Sequence, residues 1–288
     1  MKNKNIAVLL TCFNRKEKTL ACLKSFSEAD KPKGYVFDIF LVDDGSTDGT
    51  SIAVKENYPD AGIIKGDGNL FWAGGMRLAW RTALECKDYD AFLLLNDDVV
   101  LYKDFIYSLI ETEKYALIND KKTGIYSGAT IDNRTNITTY GGYKIKTNHL
   151  IVRSGLLSPK DIPQKCQLTN ANILWISKET VDTIGIFDER YTHGIADFDY
   201  SMRAVEKKIP VYLAPNFGGI CLHDHGRPWK PNNVPLKKRI AFLKSPKGLA
   251  YKEYLYYIRK HFPQFLPYSF IMLWLKTFFP TIWANLKK

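Results

Sequence analysis

The sequence predicts an α/β fold with a mostly parallel sheet flanked by helices, and two features carry this prediction. Over the first hundred residues, short apolar runs alternate with segments of helical character. The runs IAVLLT (6–11) and AFLLL (91–95) are also continuously apolar, as in strands that are buried on both faces. Strands that alternate with helices in this way form βαβ units, whose strands run parallel.

The elements of the first half are predicted from these runs and from the turn signals between them. Asn14, with Glu17 three residues later, resembles a capping box that opens a helix to about Ser27. A second helix follows the turn cluster GSTDGT and ends before Pro59, and a third follows the glycine-rich loop Gly66–Gly75 and ends near Cys86. The predicted strands are Ile6–Thr11, Phe37–Val42, Ala61–Lys65 and Ala91–Leu95.

The second half is less regular. Thr138–Val152 alternates around two glycines, which predicts a hairpin beside the main sheet. Ile173–Ile176 predicts a strand, followed by a short helix that ends at Gly185. The remaining predictions are a helix in DYSMRAVEKK and two late strands, Ile209–Ala214 and Gly219–His223.

Composition and charge define the class of protein. Of the 288 residues, 45% are hydrophobic and 25% are charged, which excludes a disordered, collagen-like or coiled-coil chain. The positive net charge lies at the C-terminal end: residues 230–288 hold 12 Lys or Arg and one acid, Glu253, whereas residues 1–229 hold 29 of each sign. We therefore predict a globular domain over residues 1–245 and a helical, basic and aromatic extension over residues 246–288.

The chain shows the features expected of a cytoplasmic protein. Its five cysteines include no CxxC pair, which argues against a disulfide framework and a cysteine zinc site. The N-terminal apolar segment is too short for a secretory signal, and no uncharged apolar run reaches the roughly 18–20 residues of a spanning helix.

Two carboxylate pairs follow predicted strands directly, Asp43-Asp44 and Asp97-Asp98. Ligands of open α/β sheets bind at the carboxyl ends of the strands, so both pairs would lie along one edge. Adjacent carboxylates repel and need donors or cations, and Mg²⁺ or Mn²⁺ takes such oxygen ligands. The alternative is that they are ordinary turn and capping residues.

Other motifs narrow the possible chemistry. The loop GDGNLF has Phe71 where a dinucleotide fingerprint needs its third glycine, and the chain has no Walker A sequence. These observations disfavour a dehydrogenase and a P-loop NTPase. Asp197 and Asp199 stand where a helix begins, so Asp199 is interpreted as a helix cap and Asp197 as a candidate general base. His223 could contact a metal or a phosphate, and the alternative is a surface histidine pair with His225.

Together these residues resemble the family 2 glycosyltransferases, which have the GT-A fold. The resemblance extends from about Ile6 to about His225 and rests on the order and spacing of several segments. These segments are TCFNR, FLVDDGSTDGT, GNLFWAGGMRLAW, FLLLNDDVVL, IGIFDERY and ADFDYSMR, with a histidine after the last strand.

The resemblance implies a nucleoside diphosphate sugar donor, UDP- or dTDP-linked. Thr11, Phe13 and Asp44 would hold the nucleobase and the ribose. The other donor-binding residues implied are Asn14, Asp43, Gly74, Gly75, Asn96 and Asp97. Because Asn96-Asp97-Asp98 stands at the family's DxD-type motif, a divalent metal, Mg²⁺ or Mn²⁺, would be held by Asp98 and His223.

The resemblance also implies an inverting hexosyltransferase, with Asp197 as the base that takes a proton from an acceptor hydroxyl. The acceptor would be a saccharide or a lipid-linked saccharide, as in the synthesis of bacterial cell-envelope polysaccharides. Ala196 departs from the family, which has a glutamate there. The alternative is therefore a catalytically silent nucleotide-sugar-binding subunit of a polysaccharide assembly complex.

The C-terminal extension mixes Lys and Arg with aromatic residues, which suits a membrane interface. We therefore predict peripheral binding to the inner face of the cytoplasmic membrane. Packing on the body and a homodimer contact are the alternatives, and nucleic acid is disfavoured because no reader motif is present. We also expect donor binding to survive removal of the residues beyond about Pro246.

Overall fold

The computed structural model describes residues 3–147, 152–222 and 234–280. The strands are β1 Lys4–Cys12, β2 Tyr35–Asp43, β3 Gly62–Lys65, β4 Ala91–Leu95, β5 Val100–Leu101, β6 Ile125–Asp132, β7 Ile137–Tyr140, β8 Gly142–Thr147, β9 Val152–Leu156, β10 Gln164–Lys165, β11 Leu168–Thr169, β12 Ile173–Ser177 and β13 Val211–Ile220. The helices are α1 Lys16–Glu28, α2 Thr50–Asn57, α3 Phe71–Cys86, α4 Phe105–Asp120, α5 Lys178–Ile184, α6 Ala196–Glu206, α7 Leu236–Lys244, α8 Tyr251–His261 and α9 Leu266–Phe278.

The described strands form a ten-stranded main sheet and a separate three-stranded sheet, β11-β8-β9. The main sheet follows the order β10-β13-β6-β12-β4-β1-β2-β3, with β5 paired to β13 and β7 to β6. The pairs among β4, β1, β2 and β3 are parallel, as is β6 with β13. Because β12 is antiparallel to both β4 and β6, the strands on its two sides run in the same direction. The carboxyl ends of β1, β2, β3, β4, β6 and β13 therefore point towards one edge.

The central strands are buried on both faces, as their continuous apolar sequences predict. In β1, Ala7 and Leu9 belong to a core cluster that includes residues of α3, α6 and α8. Ile6, Val8 and Leu10 belong to a second cluster with residues of α1 and α4. The sheet thus lies between two layers of helices, and the predicted α/β architecture is confirmed.

The predicted capping box before α1 is wrong. Arg15 occupies the N-cap position and makes no side-chain capping hydrogen bond. Asn14 has a φ of 50°, and its Oδ1 accepts a hydrogen bond of 2.8 Å from the Thr47 backbone N–H. The side chain therefore joins the ends of β1 and β2 instead of capping the helix.

The glycine-rich loop ends at Leu70, because α3 begins at Phe71. Gly74 and Gly75 were expected in this loop, but they are buried in the first turns of the helix. A Cβ at Gly75 would overlap Thr11 Oγ1, so the glycine lets α3 approach β1 closely.

Two strand predictions of the second half are also corrected. The strand Ile137–Tyr140 pairs with β6, whereas β8 pairs with β9, so the hairpin begins after Gly141. The two late strands are one continuous strand, β13, with shifts of register between Leu213 and Gly219. Pro215 lies within this irregular part and lacks a backbone donor, which explains why sequence alone divides the strand.

The helices of the extension pack on the body through α8. Tyr257, Ile258, Phe262 and Phe265 are buried in the same core cluster as residues of α3 and α6. Glu253 accepts a hydrogen bond of 3.1 Å from the backbone N–H of Thr192. Tyr257, Phe262 and Phe265 of the extension thus serve the core of the protein. Within the described residues, none of the helices has the length and apolar character needed to cross a bilayer.

Candidate functional site

A cavity of about 310 Å³ opens at the carboxyl edge of β1, β2 and β4. Its walls come from the ends of these strands, the start of α3, the loop before α6 and the segment before α8. The residues that line it are Thr11, Cys12, Phe13, Arg15, Asp44, Gly68, Phe71, Trp72, Asp97, His193 and Lys247.

The Asp43-Asp44 pair organises the wall formed by β2. Asp44 accepts backbone hydrogen bonds from Gly68 at 2.9 Å and from Phe71 at 3.1 Å, which fixes the loop between β3 and α3. Asp43 accepts from the Ser46 N–H at 2.8 Å and from the Ser51 hydroxyl, so it points away into the turn. Only Asp44 of the pair lines the cavity.

The Asp97-Asp98 pair shares one guanidinium. Arg15 Nη1 lies 3.3 Å from Asp97 Oδ1 and 3.0 Å from Asp98 Oδ2. Burial raises the pKa of Asp97 to about 6, although the Arg15 charge acts to lower it. Asp97 lines the cavity, whereas Asp98 faces a neighbouring cavity of about 420 Å³ together with Lys18 and Leu222.

The mouth of the cavity combines aromatic rings with an unusual backbone. Phe13 is 45% exposed, although it is a large apolar residue. Asn96 accepts a hydrogen bond of 2.8 Å from Trp72 Nε1, which ties the end of β4 to α3. Phe71 has a φ of 53°, and such strained positions are frequent at binding sites.

Asp197 lies at the same edge of the sheet but does not line the cavity. Its Oδ1 accepts from the Phe198 N–H at 2.9 Å, and its Oδ2 accepts from the Ala171 N–H at 3.3 Å and from the Asn170 amide at 3.4 Å. Asn172 is the residue after Ala171, and its carbonyl accepts a hydrogen bond of 3.1 Å from the Asn96 N–H. Burial raises the pKa of Asp197 to about 6, and its hydrogen bonds limit this rise.

The structure brings some of the predicted site residues together and separates others. Thr11, Phe13, Asp44 and Asp97 line one cavity. Asp98 borders it through Arg15, and Asn96 through Trp72. Asp197 is not among the residues that line this cavity, and its carboxylate contacts Asn170 and Ala171 at the same edge of the sheet. The remaining predicted donor residues, Asn14, Asp43, Gly74 and Gly75, are not among the residues that line the cavity, and His223 is outside the described residues.

Sequence reasoning missed seven of the residues that line the cavity, Cys12 and Gly68 among them. Arg15, Phe71 and Trp72 belong to segments that carry the family resemblance, and His193 lies shortly before Asp197, so their positions gave a signal. Lys247 gave none, because it reaches the cavity only through the path of the folded chain. Its Nζ lies 5.7 Å from the centre of the Phe71 ring.

Asp199 was interpreted as a helix cap, but it is fully buried at the centre of a charge cluster. Arg203 Nε lies 3.0 Å away, and Lys260 Nζ and His261 Nε2 of α8 each lie 2.8 Å away. Burial would raise the pKa of Asp199, but the bonds from His261 and Lys260 and the positive charges lower it to about 2. The cluster joins α8 to α6, two residues from Asp197.

Replacing Asp199 with asparagine is expected to destabilise the protein by about 3–5 kcal/mol, because Arg203 and Lys260 would lose the counter-charge of this fully buried carboxylate. Since the pKa of Asp199 is lowered, its contribution is complete above about pH 4 and disappears as the pH falls towards 2. Chemical unfolding at pH 7 measures this difference. Asp182→Asn is the matched control: Asp182 forms an exposed pair with Lys178 four residues away, which is worth at most about 1 kcal/mol. Equal effects of the two substitutions would contradict the prediction.

The carboxylates fit a divalent cation as a partial ligand set. Within residues 3–147, 152–222 and 234–280, no three His, Cys, Asp or Glu side chains form a ready-made metal cluster. Asp98 nevertheless presents hard oxygen donors beside the cavity, and Mg²⁺ or Mn²⁺ is often held by one or two carboxylates with substrate phosphates as further ligands.

The comparisons with known proteins agree with this architecture. The model of glycosyl transferase family 2 matches residues 7–160, so the structure and the match together define a GT-A glycosyltransferase. The chain belongs to glycosyltransferase family 2. The match ends before Asp197. Among proteins of curated function, none matches the chain in sequence.

Two solved structures are similar in fold. One is the mannosyltransferase PcManGT from Pyrobaculum calidifontis in complex with GDP-Man and Mn²⁺, with a TM-score of 0.54 and 14% identity over 99% of this chain and 72% of that chain. The other is GalNAc-T7 with UDP, GalNAc and Mn²⁺, with a TM-score of 0.63 and 15% identity over 89% of this chain. The chain covers 48% of that structure, about half its length. At these identities the likeness concerns the fold alone.

Proposed function

We propose that the protein is an inverting glycosyltransferase that moves a hexosyl group from a nucleoside diphosphate sugar to a saccharide or lipid-linked saccharide hydroxyl. The observation that carries this proposal is the cavity at the carboxyl edge, where Asp44 and Asp97 lie with Arg15 and Lys247. Carboxylates suit the hydroxyl and N–H donors of a nucleoside, and the cations suit a diphosphate. Bacterial cell-envelope polysaccharide synthesis would be the setting.

Within the cavity, each group has a distinct proposed role. Phe13 would stack on the nucleobase with Thr11 beside it, and Asp44 would bind the ribose. Asp97 would contact the ribose or the sugar. Other donor contacts expected from the family resemblance, at Asn14, Asp43, Gly74, Gly75 and Asn96, would act through the cavity wall.

A divalent cation, Mg²⁺ or Mn²⁺, would be held by Asp98, with His223 as the further ligand that the family resemblance implies. The two structures of similar fold carry Mn²⁺ with a nucleotide or nucleotide sugar, which supports this proposal. When bound, such a cation supplies positive charge to the leaving diphosphate. Arg15, which contacts both Asp97 and Asp98, would add its positive charge beside the same diphosphate.

The proposed chemistry is a single displacement. Asp197 accepts the proton of the acceptor hydroxyl as that oxygen forms a bond to the anomeric carbon, and the bond from this carbon to the diphosphate oxygen breaks on the opposite face. The diphosphate leaves with the electron pair, so the configuration inverts. The bonds from Phe198 and Ala171 orient the Asp197 carboxylate for this role.

A second candidate is a catalytically silent nucleotide-sugar-binding subunit. Ala196 is fully buried at the first position of α6, so no carboxylate stands beside Asp197 at this point. Donor binding without transfer or hydrolysis of a labelled nucleotide sugar would favour this second function.

The first test is a thermal-unfolding panel of UDP-, dTDP- and GDP-sugars with and without Mn²⁺. A donor at 100 times its Kd stabilises the folded state by about 2.7 kcal/mol, so one nucleotide class should raise the midpoint clearly. In Asp98→Asn, the additional shift caused by Mn²⁺ is expected to disappear. The exposed Asp60→Asn is the control. If no nucleoside diphosphate sugar shifts the midpoint, the proposed function is wrong.

A further inference from the structure

Helix α9 exposes apolar residues and buries polar ones, which is the reverse of a surface helix in water. Every exposed residue of α9 is apolar: Pro267, Phe270, Ile271, Leu275 and Phe278. Its buried residues are Ser269, Leu273 and Thr277, two of which are polar. An ordinary surface helix buries its apolar residues and exposes its polar ones. The outer face of α9, defined by these five exposed residues, therefore needs an apolar partner.

The outer face is continuous along the helix. Pro267, Ile271 and Leu275 follow each other at intervals of four, and Phe270 lies in the adjacent row with Phe278 two turns further on. Phe270, Ile271, Leu275 and Phe278 are between 44% and 54% exposed. Single exposed apolar residues are normal, but a contiguous set marks an interaction site.

The inner face of α9 is held firmly by its neighbours. The Trp274 ring lies 5.7 Å from that of Tyr251 in α8, and its Nε1 donates to the Tyr251 hydroxyl at 3.2 Å. Arg239 of α7 donates to the carbonyls of Thr277 at 2.6 Å and Phe278 at 3.1 Å. These contacts fix the outer face as the side turned away from the protein.

The charge around α9 selects the partner. The described residues 234–280, which form α7, α8 and α9, hold nine Lys or Arg against one acid, Glu253. Lys237 and Lys238 are exposed on α7, within one turn of the Arg239 contact to the end of α9. A second copy of the chain would bring two such cationic surfaces together, which is unfavourable, whereas an anionic bilayer complements them.

The dimensions of α9 define how it would meet a bilayer. Its 13 residues span about 20 Å, which is shorter than the roughly 30 Å hydrocarbon core. A short helix with one apolar face and flanking cations lies in the plane of the interface.

We propose that α9 lies in the surface of an anionic lipid bilayer, with its outer face among the acyl chains and the α7 lysines at the headgroups. Tyr257 of α8 and Phe262 after it take no part, because they are buried in the core. This partner adds to the proposed function but does not depend on it, since lipid binding requires neither donor nor acceptor.

The test is co-sedimentation of the full chain with vesicles of phosphatidylcholine containing 30% phosphatidylglycerol, a composition of about one anionic lipid in three. The triple variant Phe270→Ser/Ile271→Ser/Leu275→Ser is expected to bind at least about tenfold more weakly. The matched control is Ile52→Ser/Leu117→Ser/Ile118→Ser, which removes three exposed apolar residues of α2 and α4 and should bind like the parent.

A charge variant keeps the proposal testable if the triple variant does not fold. Lys237→Glu/Lys238→Glu should bind anionic vesicles several-fold more weakly, while Lys24→Glu/Lys33→Glu should not differ from the parent. Absence of parent binding to anionic vesicles, or equal binding by the variants, would overturn the proposal. The proposal would also be overturned if light scattering showed that the parent is a dimer and the triple variant a monomer. Nucleotide-induced thermal shifts, measured separately, show whether the proposed function has failed instead.

Discussion

Replacement of Asp197 by asparagine is expected to slow sugar transfer by roughly 10²–10⁴-fold, the usual contribution of a general base. The amide keeps the size of the side chain but cannot accept the acceptor's proton. Donor binding should change little, because Asp197 is absent from the donor cavity lining. Steady-state rates, together with nucleotide-induced thermal shifts, measure both quantities. The exposed Asp182→Asn serves as the control.

The pH dependence of the rate provides a second readout for Asp197. Its pKa is raised to about 6, so the ionised base forms as the pH rises through 6, and the rate should fall about tenfold per pH unit below it. The pKa of Asp97 is also raised to about 6, so the parent profile alone does not identify the group. The residual activity of Asp197→Asn should lack the inflection if Asp197 causes it.

The anomeric configuration of the product tests the displacement itself. A single displacement predicts inversion, which nuclear magnetic resonance of the purified product can establish. Retention would contradict the proposed mechanism, and a parent-like rate in Asp197→Asn would contradict the assignment of the base.

The strands around the cavity could be predicted because their sequences are dominated by burial. The alternating residues of β1 enter two different core clusters, and a continuous apolar run is the direct consequence. The polar residues at the strand ends were predictable for a related reason, since a parallel sheet places them at one edge.

The parts that could not be predicted depend on contacts between distant segments. Asn14 satisfies a local capping rule, but its side chain bonds to Thr47 beyond the next strand. Asp199 satisfies a similar rule, but its strongest partners, Lys260 and His261, come from α8. Lys247, in the segment before α8, also reaches the cavity from far along the chain. No local pattern records these pairings, so the role of the C-terminal extension in the site was missed.

Removal of residues 247–288 is expected to prevent folding, in contrast to the expectation from sequence that donor binding would survive. The shortened chain loses α8, and with it the burial of Tyr257, Ile258 and Phe262, each worth about 1.5–3 kcal/mol. Asp199 would also lose Lys260 and His261, and breaking such a buried pair costs about 3–5 kcal/mol. Together these losses are comparable to the roughly 5–15 kcal/mol that stabilises a typical domain.

A chain that ends at Phe265 is the matched control, because it keeps α8 and lacks only α9 and the residues after it. We expect this longer chain to unfold cooperatively and to retain its nucleotide-induced thermal shift, while losing binding to anionic vesicles. Circular dichroism during heating, with and without donor, compares the two chains. Cooperative unfolding and donor binding by residues 1–246 would show that the extension is separable from the domain. In the folded chain, by contrast, Lys247 at the cavity and the α8 contacts to Asp199 make it part of the body that carries the site.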